Sequence, residues 1–532
     1  MNHKTVLILS FLFALFVRLT ISSELNMQLL LIIEGKNDGN LLGRSIEAAG
    51  DINNDGYPDF LIGVPGADSS RGAVCIYFGS ENLNNMRKEI LYGEDYTDHF
   101  GNEIANIGDI NGDSYNDFVI GAPGANSDTG KAYLYLGQGS EQLLCAAIYE
   151  GENDNDQFGA FIDGGDINGD NYSDVLIVSP TYDHSRGKIY VFLGGEKLPS
   201  IPYITYEGDS IRTYLGGILS IVGDINNDGY DDFVTGSSSR TINGMRAAGY
   251  FRVYFGSSDL DTIPDIEVTG NYYLMRLGYS VCSGDFNGDS LDDFIVCSAG
   301  NGFVYFGKEN FTSEPDLIIG DENVPIALLE TVGDINGDGY DDFLSGLPGL
   351  YGNNGAVDLF IGSSNLDGIP EVRIHGNWVS YFGWPVSSAG DLNRDGCDEF
   401  IIGEPNYFLG IFNQGRVYIY SGDTTITGID VDYEQINILG DYKLGQNYPN
   451  PFNDSTVIPY SVSSKSTIQI RIFNLLGKEI ISYTKEHSLP GQYNIIWNGK
   501  DRYEVQQYSG IYLYQIIINK YKGDVKKMLL IK

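Results

Sequence analysis

The sequence predicts an all-β chain, a seven-bladed β-propeller followed by a small immunoglobulin-like β-sandwich. Three observations carry this expectation. One acidic nonapeptide recurs seven times, with starts 58, 57, 58, 61, 49 and 57 residues apart, a period of one supersecondary unit. Each copy leads into an apolar run, and further short apolar segments bounded by glycine complete the unit. From Asn437 on the period stops and the charge changes sign, with 12 Lys+Arg facing 7 Asp+Glu against 20 and 65 before it.

The 532 residues carry a net charge of −40, from 72 Asp+Glu and 32 Lys+Arg. Nucleic acid and anionic membranes need clustered cations, so the balance argues against both as partners. A hydrophobic content of 42% suffices for a core, and 68 glycines with 38 tyrosines suit short strands joined by tight turns. At the start, Lys4 precedes an apolar run from Val6 to Val17, and small polar residues follow to Ser23. That run is too short as a helix to cross a hydrocarbon core of about 30 Å. Residues 1–23 therefore read as a secretory signal peptide, and no transmembrane segment is expected in the mature chain. The five cysteines (Cys75, Cys145, Cys282, Cys297, Cys397) form no disulfide framework and no CxxC pattern. Cys282 and Cys297 flank one loop and either pair or, more simply, act as small buried hydrophobes.

Within each unit the strands follow one order. The nonapeptide runs into a strand such as Phe60-Leu61-Ile62 or Phe118-Val119-Ile120, and an aromatic-rich strand follows, as in KAYLYLG. A third segment ends near glycine, as in VRIHG, and the fourth lies just before the next loop. Four short strands joined by turns make an antiparallel meander, and seven such sheets close radially into residues 24–425. The seventh unit lacks an evident outer strand, and Leu30-Leu31-Ile32-Ile33 resembles one, so the amino-terminal strand is expected to complete the last blade.

The nonapeptide offers oxygen at positions 1, 3, 5 and 9, a carbonyl at 7 and often glycine at 6, a set suited to a hard cation with six or more ligands. In chain order the sets are Asp51, Asn53, Asp55, Tyr57, Asp59; Asp109, Asn111, Asp113, Tyr115, Asp117; Asp166, Asn168, Asp170, Tyr172, Asp174; and Asp224, Asn226, Asp228, Tyr230, Asp232. Then come Asp285, Asn287, Asp289, Leu291, Asp293; Asp334, Asn336, Asp338, Tyr340, Asp342; and Asp391, Asn393, Asp395, Cys397, Glu399. Position 7 contributes only its backbone carbonyl. Up to seven structural Ca²⁺ ions are expected, because converging carboxylates repel one another without a cation. An EF-hand would need Glu at position 12, where the first copy has Ile62 inside a strand. The competing reading is a set of metal-free Asx-turns.

Phe-Gly precedes the loop at 100–101, 158–159 and 382–383, with Leu-Gly variants at 42–43, 215–216 and 277–278, and Gly-Ala-Pro follows at 121–123 with variants at 63–65, 346–348 and 403–405. Together with the acidic loop in register, these motifs resemble the FG-GAP repeat of integrin α-subunit propellers over roughly residues 29–422. The unit around Asp334 lacks Phe-Gly, and its inner strand is expected to be irregular. After a linker at 426–440, residues 441–532 contain NYPNPFN, Phe473-Asn474-Leu475-Leu476-Gly477, Ser509-Gly510-Ile511-Tyr512 and Lys526-Lys527-Met528. These resemble the type IX secretion sorting domain, which implies export across an outer membrane, contact with that secretion machinery, and a secreted or outer-membrane cell-surface location.

No HExxH, Gly-x-Ser-x-Gly or phosphate-binding GxxxxGK[ST] motif appears, so the chain reads as a non-enzyme. In an antiparallel blade the acidic loops share one end of the ring. The other end gathers Tyr182, His184, Arg246, Tyr272, Tyr273, Trp378, Tyr381, Trp384 and Phe408, residue types that anchor interfaces. A structural reading packs many of them between blades. In integrins the corresponding end meets protein partners, so the resemblance implies adhesion or binding of an extracellular protein or glycan. A carbohydrate-binding propeller or a polysaccharide-active enzyme is the alternative.

Overall fold

The computed structural model describes residues 27–35, 39–139, 143–320, 325–376, 380–407, 413–422, 442–453, 455–462, 466–474, 478–487, 489, 491–502, 505–518 and 521–531. The expected signal peptide and linker lie outside them. The chain divides into two compact units, Met1–Val431 and Asp432–Lys532.

Unit 1 consists of seven four-stranded antiparallel sheets. Blade 1 runs from the inner strand Ile46–Gly50 through Asp59–Val64 and Ala73–Phe78 to the outer strand Arg87–Tyr92. Blades 2 to 6 begin on Glu103–Gly108, Phe161–Gly165, Ile218–Gly223, Val281–Gly284 and Leu328–Gly333. Successive inner strands touch, and that of blade 7, Val386–Gly390, touches that of blade 1, which closes the ring. Sequence pattern follows position. Asp59–Val64 is buried on both faces and near-continuously apolar, whereas Arg87–Tyr92 alternates and is largely exposed. Blade 7 takes its outer strand from the amino terminus: Leu29–Glu34 pairs antiparallel with Arg416–Tyr420, with Ile32 opposite Tyr418. This circular pairing covers the edge of Arg416–Tyr420 and makes Leu29–Glu34 the outer strand of the blade.

The blades pack face to face. Ile52, Leu61, Val74, Ile76 and Phe78 of blade 1 form one core with Ile104, Phe118, Ile120 and Tyr133 of blade 2. The Phe-Gly and Gly-Ala-Pro motifs meet at the joint between neighbours. Phe100 is buried with its ring edge-on to Tyr133 at 5.2 Å, and the Gly101 N–H donates to the Gly121 carbonyl at 3.0 Å. A Cβ at Gly121 would stand 2.1 Å from the Gly159 carbonyl of the next blade, so only glycine permits that approach.

The inner strand of blade 6 corrects one expectation. Leu328–Gly333 is regular and pairs with Asp342–Gly346 with the same register shift before its terminal glycine as blades 1, 2, 4 and 7. What differs is the crossing before it. Ile326 bridges Gly300 antiparallel, where five other crossings carry parallel bridges such as Gly72 to Phe100. With neither Phe-Gly nor Leu-Gly before its loop, blade 6 changes its link to blade 5 and keeps its strand. No two of the five cysteines are joined by a disulfide, and Cys282 and Cys297 are buried, with the Cys297 thiol 2.6 Å from the Ala327 carbonyl.

Unit 2 is a two-sheet sandwich. Tyr442–Leu444, Thr456–Val462 and Gly491–Trp497 form one sheet; Glu479–His487, Ser466–Asn474, Gly510–Ile518 and Tyr521–Leu530 form the other. Ile458, Tyr460 and Trp497 from the first meet Ile470, Tyr514 and Met528 from the second in one core. An immunoglobulin constant arrangement would place the fourth strand beside the fifth; here the fourth strand pairs with the third.

Candidate functional site

Each acidic loop joins the inner strand of a blade to its second strand, so all seven lie at one end of the ring. Local hydrogen bonds shape them. In the first, Asp51 accepts from the N–H groups of Asp55 at 3.1 Å and Gly56 at 2.7 Å, Asn53 from Asp55 at 2.8 Å, and Asp55 from Tyr57 at 2.9 Å. The position-1 and position-5 bonds recur in every copy, for example Asp109 with Ser114, Asp334 with Gly339 and Asp391 with Gly396. These are the Asx-turns weighed against a metal. The two readings are compatible, because an ionised carboxylate has about four acceptor sites and the turns use only some of them.

Position 9 behaves differently. Asp59, Asp117, Asp174, Asp232, Asp293, Asp342 and Glu399 are all fully buried. Asp59 accepts from Ile52 N–H at 3.1 Å and from Gly79 N–H, beyond the third strand, at 2.8 Å. Asp117, Asp232, Asp293 and Asp342 repeat both bonds. The longer Glu399 instead reaches Asn393, through its N–H at 3.3 Å and its side chain at 2.8 Å. Burial drives these carboxyls up, to about 7 for Asp59, Asp117, Asp174 and Asp293 and about 8 for Asp232, Asp342 and Glu399, with the position-1 and position-5 carboxylates of the same loop adding to the rise.

Among the described residues, no group of three or more His, Cys, Asp or Glu side chains is placed to hold a metal ion. The donor chemistry nonetheless fits a hard cation. Every side-chain ligand offers oxygen, the buried carboxylates have acidic neighbours, and the Oδ1 atom of Asn226, at position 3 of the fourth loop, is buried without a hydrogen-bond partner.

Position 8, which sequence reasoning passed over, ties the loops together. Asp231, Asp292 and Asp341 each accept from the N–H of position 1 in the preceding loop, Asp166, Asp224 and Asp285, at 2.8–3.0 Å. The Asp-Asp doublets at 231–232, 292–293 and 341–342 were the available signal. A second overlooked group lies on the inner strands. Glu47, Glu103, Asp163 and Glu330 belong to blades 1, 2, 3 and 6. Glu330 feels Asp163 and Glu103 from blades that are not its neighbours, so these side chains surround the ring axis. Confinement raises Glu103 and Glu330 to about 8 and Asp163 to about 6; Arg44 opposes the rise at Glu103.

The opposite end carries the connections between second and third strands and the crossings between blades. Tyr182 and His184 sit in the short helical turn Tyr182–Ser185, where His184 is exposed with its Nδ1 3.2 Å from Asp183. They line a cleft of about 770 Å³ with Asp154 and Asp156. Arg246 is exposed in blade 4. Tyr272 and Tyr273 are exposed in the crossing to blade 5. Tyr381 meets Trp384 edge-on at 6.3 Å, and Arg44 lies over the Trp384 ring at 5.1 Å. Trp378 and Phe408 lie outside the described residues. The residues form separate clusters around the end.

Comparison with known proteins places these features. The FG-GAP repeat model matches residues 43–77, 100–135, 158–192 and 382–420, and an FG-GAP-like repeat model matches 285–345. A secretion system C-terminal sorting domain matches 446–532. Integrin alpha-V of Gallus gallus is 32% identical over 215 residues, 38% of this chain and 20% of that protein. Integrin alpha-PS3 of Drosophila melanogaster is 26% identical over 297 residues, 46% of this chain and 26% of that protein. The chain thus spans about a fifth to a quarter of these curated relatives. The solved structure of PorZ, a surface component of the type IX secretion system of Porphyromonas gingivalis, aligns with 94% of this chain and 60% of its own, at TM-score 0.41 and 14% identity. The chain therefore carries FG-GAP repeats, similar to those of integrin α-subunits, in a seven-bladed propeller, and a secretion system C-terminal sorting domain at its end.

Proposed function

We propose that this chain is a secreted or cell-surface propeller, exported by a type IX-like route, braced by Ca²⁺ at its acidic loops, which binds an extracellular partner through the opposite end. The sorting-domain match over 446–532 supports the route. No helix among the described residues is long and apolar enough to cross a membrane.

The observation that carries the calcium brace is the set of seven fully buried position-9 side chains, each beside further loop carboxylates. In the first loop, Asp51, Asn53, Asp55, Asp59 and the Tyr57 carbonyl would hold the ion, and the other loops offer the corresponding residues. A bound cation would supply positive charge to Asp59, whose largest charged neighbours are Asp55 and Asp51. Extracellular calcium modules bind with dissociation constants of about 10⁻⁴ to 10⁻³ M, so at a tenfold excess each loop gains about 1.4 kcal/mol. Seven loops then contribute on the order of 10 kcal/mol, comparable with the whole stability of a domain. The ion acts as a brace, and binding falls to the rigid end carrying exposed Tyr272, Tyr273 and Trp384.

The test is capture from surface extracts by the full-length protein, with calcium or with EGTA. A saturable ligand retained in calcium and lost in EGTA supports the reading. Equal capture in both removes the brace, and absence of any saturable ligand removes the binding role.

A further inference from the structure

Four of this acidic protein's arginines converge on one cavity. A cleft of about 970 Å³ at the end opposite the acidic loops is lined by Arg212, Arg240, Arg246 and Arg276, together with serine and threonine hydroxyls and Tyr279, and by no Asp or Glu. Arg212, Arg246 and Arg276 are exposed, and among the described residues none of the three makes an ion pair. Arg240 stacks over Tyr250 at 4.5 Å and lies 3.4 Å from Asp209, while its Nη1 is buried without a partner. Asp209 is chiefly engaged elsewhere, by Arg252 at 2.5 Å, and Arg252 also holds Glu267 at 2.6 Å. The cavity thus keeps a surplus of positive charge.

The arginines vary a repeated frame. In blades 2 to 5 the first and third residues before the Leu-Gly or Phe-Gly dipeptide have left-handed backbone. At these turns blade 2 carries Thr97 and His99, blade 3 Asn155 and Gln157, and blades 4 and 5 Arg212 with Tyr214 and Leu274 with Arg276. The other two arginines come from a longer connection, residues 238–249 in blade 4, where blades 1 to 3 have only 65–72, 123–130 and 180–187. The corresponding cleft of blade 3 is lined instead by Asp154, Asp156 and Asp183.

We infer that this cleft binds a short acidic oligosaccharide, its carboxylate or sulfate groups held by Arg212, Arg246 and Arg276 and its hydroxyls by the serines and threonines beside them. The inference rests on the partner-binding reading and names the ligand chemistry of that end. Guanidinium groups match carboxylate and sulfate in planar, paired hydrogen bonds. The volume lies at the upper end of pockets that enclose small molecules, and the overall negative charge repels a long polyanion. At physiological salt charges beyond about 8 Å are largely screened, so a short ligand senses chiefly the local arginines. The lining residues come from connections outside the named strands, so a peptide finds no strand edge to extend there.

The test uses full-length protein in calcium and calorimetric titration with four probes: tetragalacturonate, a heparin tetrasaccharide, neutral maltotetraose and a tetraglutamate peptide. The expected result is saturable binding of one or both acidic sugars, at least about tenfold weaker in Arg246→Ala and in Arg276→Ala. Lys197→Ala, at the acidic-loop end, should leave affinity and melting temperature unchanged. Binding of tetragalacturonate shows that carboxylates suffice, whereas binding of the heparin tetrasaccharide alone, which carries both groups, assigns recognition to sulfate. The inference is overturned if maltotetraose binds equally well, if acidic sugars bind but ignore both arginine variants, or if none of the four binds. Binding of tetraglutamate alone overturns the sugar assignment and leaves the partner-binding reading standing. That reading falls with it only if surface extracts also yield no saturable ligand.

Discussion

Asp342→Asn separates the two roles that a position-9 carboxylate plays. Asp342 is fully buried and accepts from Ile335 N–H at 3.0 Å and Gly362 N–H at 2.8 Å. Burial raises it to about 8; the two N–H groups oppose the rise, and Asp338 and Asp334 add to it. Asparagine keeps the shape and one acceptor but turns an NH₂ toward one N–H, losing a bond worth about 1 kcal/mol while removing an unfavourable buried charge. In EGTA the variant should therefore stay within about 1 kcal/mol of the parent. In calcium it loses a ligand and with it up to about 1.4 kcal/mol at that loop. An unfolding entropy of about 2.1 cal/mol/K per residue over about 390 propeller residues gives roughly 0.8 kcal/mol/K. Calcium should thus raise the parent melting temperature by about 12 °C, and the variant's by about 2 °C less. Differential scanning calorimetry of both proteins in both buffers, with calcium stoichiometry by titration, reads the effect. A parent that melts alike in calcium and EGTA, or a variant with the full calcium increment, would refute the account.

Glu330→Gln tests the axial carboxylates. Glu330 is raised from an ordinary 4.5 to about 8, so between those values the folded chain holds a proton that the unfolded chain has released. Its stabilising contribution is therefore complete below about pH 4.5 and lost as pH rises toward 8. The variant should be more stable than the parent at pH 8, by on the order of 1 kcal/mol after solvent screening, and alike at pH 4.5; the opposite order in a pH series would reverse the sign argued here. Gly121→Ala places a Cβ 2.1 Å from the Gly159 carbonyl and should cost about 3 kcal/mol, read as a melting point roughly 4 °C lower, whereas an unchanged value would show that the blade joint has slack.

Much of the fold was legible because its signals are local. The acidic loop closes through bonds spanning two to five residues, such as Asn53 to Asp55 and Asp51 to Gly56, so residue types at fixed offsets suffice to announce it. Strand order followed from apolar runs, and the leftover strand Leu29–Glu34 from counting three strands in the last unit. The inner strand of blade 6 is regular, against expectation, because the Phe-Gly or Leu-Gly dipeptide belongs to the crossing between blades, and the strand itself needs only its own pairing.

The sequence by itself determined the repeat, the oxygen donors of each loop, the sheet type and the sorting motifs, because each rests on chemistry within a few residues. Only the tertiary structure decided that Asp231 caps the preceding loop, that Glu103, Asp163 and Glu330 share one axis, and that Arg212, Arg240, Arg246 and Arg276 meet in one cleft. The physical reason is distance along the chain. Whether blades tens to hundreds of residues apart bring their charges together depends on how the ring closes and on the length of each connection, and neither is encoded at any single offset.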